Sequence, residues 1–173
     1  LKSDMQGIPM GESLAAETPA REGILYGVHG GHVNVTDGRY VYMRAPATPE
    51  NAPLYEYTLM PAHMRHTFDV EELQDIQLAE PFDFTKGCRT MKIEGRGSGW
   101  RDMHRFGTML FDLKADPKQE HPIDDPEVEA RMIRLMVDLM TANDAPPEQF
   151  ERLGLSSEVD PEEAWGMSGR EQD

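Results

Sequence analysis

Asp37-Gly38 stands between two runs of alternating character, His32-Val33-Asn34-Val35 before it and Tyr40-Val41-Tyr42-Met43 after it. Asp-Gly supplies the backbone freedom a tight turn needs, and period-two alternation sends every second side chain to one face. That combination is a β-hairpin, and it commits the chain to an antiparallel sheet. Just upstream, Ile24, Tyr26 and Val28 alternate with smaller residues, and Gly30-Gly31 lets the chain turn or bulge into the next run. The pattern predicts strands over 23–29, 32–36 and 39–44. A proline-rich loop follows over 45–53, then a strand from Leu54 to Met60 that ends at Pro61. A short strand is expected over 90–93, and a last one over 109–113, stopped by Asp116-Pro117.

The strongest helix signal begins after Asp124-Asp125, with Pro126 at the first helical position. Val128, Met132, Leu135, Met136 and Leu139 then recur on one helical face, which Ile133, Val137 and Met140 widen. This predicts a buried helix over 127–142, stopped by Asn143-Asp144-Ala145-Pro146-Pro147. A second short helix is expected over 147–153, ending at Gly154. Asp69 reads as the cap of a short helix over 70–76, with Glu71 and Glu72 in its first turn. Strands followed by helices, without βαβ alternation, make an α+β fold. The expected architecture is a small antiparallel sheet of about four strands (23–29, 32–36, 39–44 and 109–113) with the long C-terminal helix packed on one face. Residues 1–22 read as an irregular lead, 23–155 as the folded domain, and 156–173 as an acidic, disordered tail. Gly95-Arg-Gly-Ser-Gly-Trp100 reads as a loose hairpin tip.

Charge limits the partners. The 173 residues hold 32 acids against 17 Lys and Arg, a formal net charge of -15. Such a chain repels phosphates at long range, so nucleic acid is not the expected partner. No apolar run approaches the roughly 20 residues that cross a bilayer, so a membrane span is not expected either. No signal peptide is visible, and the single Cys88 precludes an internal disulfide, which suits a cytoplasmic protein. Leu1 in place of an initiator Met fits an excised piece.

Few residues carry chemistry by their spacing. His29-Gly-Gly-His32 and His63-Met-Arg-His66 have metal-compatible spacings, but no cysteine completes either pair, and alternation on a strand sends 29 and 32 to opposite faces. Asp112, Asp116, Glu120, Asp124 and Asp125 form an acidic stretch without the glycine and closing Glu of a calcium loop, so turn formation and helix capping explain them. No metal ligand and no catalytic residue is assigned. Cys88, between Lys86 and Arg89, reads as structural. Met132, Met136 and Met140 read as core. Met60-Pro61-Ala62-His63-Met64-Arg65-His66 differs from its surroundings. It places three potentially cationic side chains within four residues of a strongly acidic protein, and Arg65 has the fork geometry that grips an oxyanion. The plainer reading is that these groups pair with Asp69, Glu71 and Glu72.

Phe111-Asp112-Leu113-Lys114-Ala115-Asp116-Pro117, followed by Gln119-Glu120-His121-Pro122-Ile123, resembles the "LYDLxxDPxE" segment near the C-terminus of sulfatases, in the alkaline phosphatase superfamily. Gly11-Glu12-Ser13-Leu14 is similar to the family's "GxSL" segment after the catalytic domain. Val35-Thr36-Asp37-Gly38-Arg39-Tyr40-Val41-Tyr42 resembles its "tdGryKYi" hairpin, and 127–140 its packed helix. The resemblance covers about residues 5–155, in the family's order.

The resemblance implies a C-terminal accessory domain of a sulfuric ester hydrolase. The Cys- or Ser-x-Pro-x-Arg motif, whose first residue becomes formylglycine, is absent, as are the family's metal-binding carboxylates. In the intact enzyme a divalent cation, usually calcium, and formylglycine do the chemistry, so this chain alone is expected to be inactive. Its implied partners are the catalytic domain of the same polypeptide and, through it, a small sulfate ester. His63 and Arg65 are the candidates for the substrate entrance. Self-association through the uncovered surface is also expected, in the lead segment or over 54–66. The alternative is a self-sufficient acidic protein-binding module without catalysis.

Overall fold

The computed structural model describes residues 21–95 and 103–155, together with Gly11, Leu14 and Ala15. The expectations for the rest of the lead, for the glycine-rich tip beyond Gly95 and for the acidic tail lie outside the described residues. Among the described residues the chain forms β1 (Ile24–Gly27), β2 (Val33–Thr36), β3 (Tyr40–Arg44), β4 (Tyr55–Thr58), β5 (Gln77–Ala79), β6 (Thr90–Glu94) and β7 (Met109–Asp112). Two helices follow, α1 (Pro126–Ala142) and α2 (Pro147–Arg152).

The main sheet runs β1-β2-β3-β7, with every neighbouring pair antiparallel. These are the four strands expected from the sequence, in an α+β fold. The β2–β3 turn forms as its residues require. Gly38 sits at φ 91°, and the Asp37 carboxylate accepts the amides of Arg39 and Tyr40 at 2.9 and 2.7 Å. Gly30, at φ 74°, lets the β1–β2 connection close with the Gly31 amide on the Val28 carbonyl.

Cross-strand register sets the core. Leu25, Val35, Tyr42 and Leu110 are successive partners across all four strands, so they form one row on one face. That row meets Met132, Ile133, Met136, Val137 and Met140 of α1, all buried. The methionine stripe is therefore core, each fully buried side chain contributing about 1.5–3 kcal/mol relative to exposure. Asp125 caps α1 by accepting the Val128 amide at 3.1 Å. At the end of the core, the buried Arg44 donates to the carbonyls of Leu153 and Gly154 at 2.8 and 3.1 Å and to the Tyr42 hydroxyl at 3.1 Å. Burial pushes the Tyr42 phenol up to about 12.

A second sheet, β4-β6-β5, was only partly legible: β4 and β6 fall where strands were expected, and β5 was not foreseen. The helix expected over 70–76 is not formed. Its amides reach back only three residues, Leu73 to Val70 and Ile76 to Leu73, so the segment is a run of turns. Val70, Leu73 and Ile76 are exposed there, and a helix this short without a buried face is not self-sustaining. No helix among the described residues is long and apolar enough to cross a membrane.

Candidate functional site

The segment after β4 is built by local chemistry. The Thr58 hydroxyl accepts the Met60 amide at 2.9 Å, and Pro61, lacking an N–H, cannot extend the ladder. The chain then bends back on the 69–72 turn, where Glu72 serves two purposes. One carboxylate oxygen accepts the Asp69 amide at 2.7 Å, and the other lies 3.0 Å from His63 Nε2. The His63 ring also packs on Phe68 and His66, with centroids 4.3 and 4.5 Å apart. His63, Phe68 and Glu72 are thus half-buried together, with the exposed His66 against the His63 ring, and pairing with a nearby acid describes His63.

Arg65 behaves otherwise. It is exposed and makes no hydrogen bond or ion pair among the described residues. The expected pairing with Asp69, Glu71 and Glu72 does not extend to it. Its guanidinium is therefore presented to solvent, two residues along the chain from the fixed His63 ring, in a chain of net charge -15. An exposed guanidinium of this kind can bind an anion but supplies no nucleophile.

The second sheet that carries this segment is tied to α2 by a network the sequence did not signal. Glu148 accepts from the Tyr57 hydroxyl and pairs with Lys92 Nζ at 2.6 Å. Lys92 in turn lies over the Tyr55 ring, 4.1 Å from its centroid. Burial raises the Glu148 carboxyl, but the bonds from Lys92 and Tyr57 outweigh it and hold it below the ordinary range. Burial and the Glu148 carboxylate together push the Tyr57 phenol well up. Tyr55 and Tyr57 sit at alternate positions of β4 and Lys92 opposite Tyr57 on β6, so only their shared face was readable; Glu148 lies on a distant helix.

The remaining candidates resolve separately. The His29–His32 turn does not gather its imidazoles. His32 is buried and bonds the Gly107 carbonyl at 2.9 Å, whereas His29 is exposed. Arg152 and Asn51, both buried, hold that turn through the carbonyls of Gly31 and Gly30 at 3.2 and 2.7 Å. Asp116, Glu120 and His121 bring three possible cation ligands together. Asp116, however, already accepts the amides of His121 and Lys118 at 2.8 and 3.3 Å, and these bonds, that from His121 foremost, hold its carboxyl below the ordinary range. That is the turn chemistry expected of this stretch. The calcium and formylglycine implied by the sulfatase resemblance find no matching ligand set or nucleophile among the described residues. Cys88 is exposed, following the Lys86-Gly87 turn with both residues at positive φ, so the packed, structural role expected of it is not realised.

Large apolar side chains are left uncovered around the second sheet. Met64, Val70 and Phe84 are 88%, 76% and 70% exposed, and Leu59 and Leu78 are more than half exposed. In comparisons with protein-family models, curated proteins and solved structures, nothing matches this chain.

Proposed function

We propose that this chain is the C-terminal accessory domain of a sulfuric ester hydrolase, a sulfatase, and that it buttresses the catalytic domain of the same polypeptide. One observation carries the reading. The Phe111–Pro117 and Gln119–Ile123 segments, which resemble sulfatases, follow the Val35–Tyr42 hairpin segment in the family's order, and Phe111 and Asp112 at the start of the first pair with Val41 and Tyr40 of the hairpin on the adjacent strand. The apolar side chains left exposed from Leu59 to Phe84 support it, since a domain–domain contact covers about 600–1,500 Å² and strands apolar surface when the partner is absent.

In this reading Arg65 and His63 face the substrate entrance. A sulfate ester carries one negative charge over three oxygens, and a guanidinium fork engages two of them at once. Glu72 fixes the His63 ring, so this imidazole is held rather than free. Neither group attacks sulfur. In the resembled enzymes, formylglycine and a divalent cation on the catalytic domain supply that chemistry.

The test is Arg65→Ala in the intact polypeptide. The expected result is a fall in kcat/KM of about tenfold or more towards an aryl sulfate, read as lost transition-state binding. Stability should stay unchanged, because the side chain is exposed and has no partner among the described residues. Unchanged kcat/KM would remove Arg65 from the entrance.

A further inference from the structure

We propose that β1 is an open pairing edge through which two copies of this chain associate about a two-fold axis, their β1 strands antiparallel to one another. The inference stands on the sheet edges and is independent of the hydrolase reading.

Among the described residues the two sheets have four outer strands, and three of them are blunted. The outer side of β7 is occupied by the Ile123 amide, which donates to the Leu110 carbonyl at 2.8 Å. β5 is only three residues long, and the Arg89 guanidinium reaches its Leu78 and Ala79 carbonyls at 3.2 and 3.4 Å. β4 carries the charge of Glu56 within its four residues. Charge, shortness and cover are the devices by which natural sheets prevent edge-to-edge pairing. β1 has a different character. Its residues are Ile-Leu-Tyr-Gly, without charge or proline, and among the described residues its only strand partner is β2. Among the described residues no other hydrogen bond reaches it.

The side chains favour a second copy over another partner. Leu25 points into the core, whereas Ile24, Tyr26 and the following Val28 are 51%, 45% and 59% exposed. An antiparallel pairing centred on Tyr26 sets Tyr26 against Tyr26 of the second copy and Ile24 against its Val28. The stripe is self-complementary, which is the condition a two-fold interface imposes, and aromatic and β-branched pairs across strands are favourable. Another protein would have to supply its own matching alternation. One strand pair covers less than the roughly 1,000 Å² of a durable interface, so the dimer is transient. Each copy carries a net charge of -15, and salt screens their repulsion.

Sedimentation velocity of the whole chain tests this, across concentration and at low and high salt. The mass should move from monomer towards dimer as concentration rises, with a dissociation constant several-fold lower at high salt. Tyr26→Lys should remain monomeric throughout, whereas Phe84→Lys, on the other exposed patch, should associate like the unsubstituted chain. Hydrogen exchange of the unsubstituted chain should show the amides of 24–28 slowing with concentration, which decides the matter if Tyr26→Lys does not fold. A monomer under every condition would overturn the proposal. So would association abolished by Phe84→Lys but not by Tyr26→Lys, or dimerisation without slower exchange in β1.

Discussion

Arg152 is 2% exposed, and the partners of its guanidinium are neutral oxygens: Gly31 O, Asn51 Oδ1 and Gln149 Oε1. Burial lowers its pKa to about 10, so it remains charged at neutral pH. A buried charge of this kind is tolerated only while its hydrogen bonds are intact. Arg152→Ala leaves two buried acceptors without their donor and should destabilise the fold by about 3 kcal/mol, measured by urea denaturation. Arg65→Ala, by contrast, should change stability by less than about 0.5 kcal/mol, because that side chain touches nothing that must stay paired. Two arginines of one chain thus have opposite uses, one anchoring the His29–His32 turn and the other left available. The sequence could distinguish neither. Arg152 stands in the last turn of a short helix, and two of its three partners lie 101 and 121 residues away.

The main sheet and α1 were legible because their signals are local and repeated: a turn dipeptide between alternating runs, and a wide apolar helix face behind an Asp-Pro start. Truncating the centre of that face, Met136→Ala, should cost about 2–5 kcal/mol, since Met136 is fully buried between helix and sheet. Removing the cap, Asp125→Ala, should cost about 1 kcal/mol. The second sheet was less legible. β5 holds three residues, too few for a period, and the long-range Glu148 network has no sequence signature. That network gives a pH dependence. The folded Glu148 pKa lies below its unfolded value, so its stabilisation is present above about pH 4 and fades as pH falls through the depressed folded value. Denaturation midpoints should therefore decline on acidification, and Glu148→Gln should flatten that decline. An unchanged slope would place the acid sensitivity elsewhere, with Asp37 and Asp112, whose carboxyls are also held low, as the next groups.

As a whole, the described residues form a well-filled sheet-and-helix core and a smaller sheet whose surrounding loops leave large apolar side chains exposed. In the proposed reading, those exposed side chains are the surface that the catalytic domain covers. The His63–Arg65 segment rises from the uncovered part, which is why its meaning depends on what lies opposite. Of the candidate site, the sequence disclosed the unusual local positive charge but not its division into a paired His63 and an unpaired Arg65, because that division is set by where the 69–72 turn places Glu72. The most direct test of the accessory-domain account is aryl sulfate turnover by the intact polypeptide, produced with a formylglycine-generating enzyme, set beside turnover by residues 1–173 alone. The account predicts hydrolysis by the intact polypeptide and none by the 173-residue chain. Turnover by the short chain above a Cys88→Ala control, or an intact polypeptide without the nucleophile motif and without sulfatase activity, would contradict it.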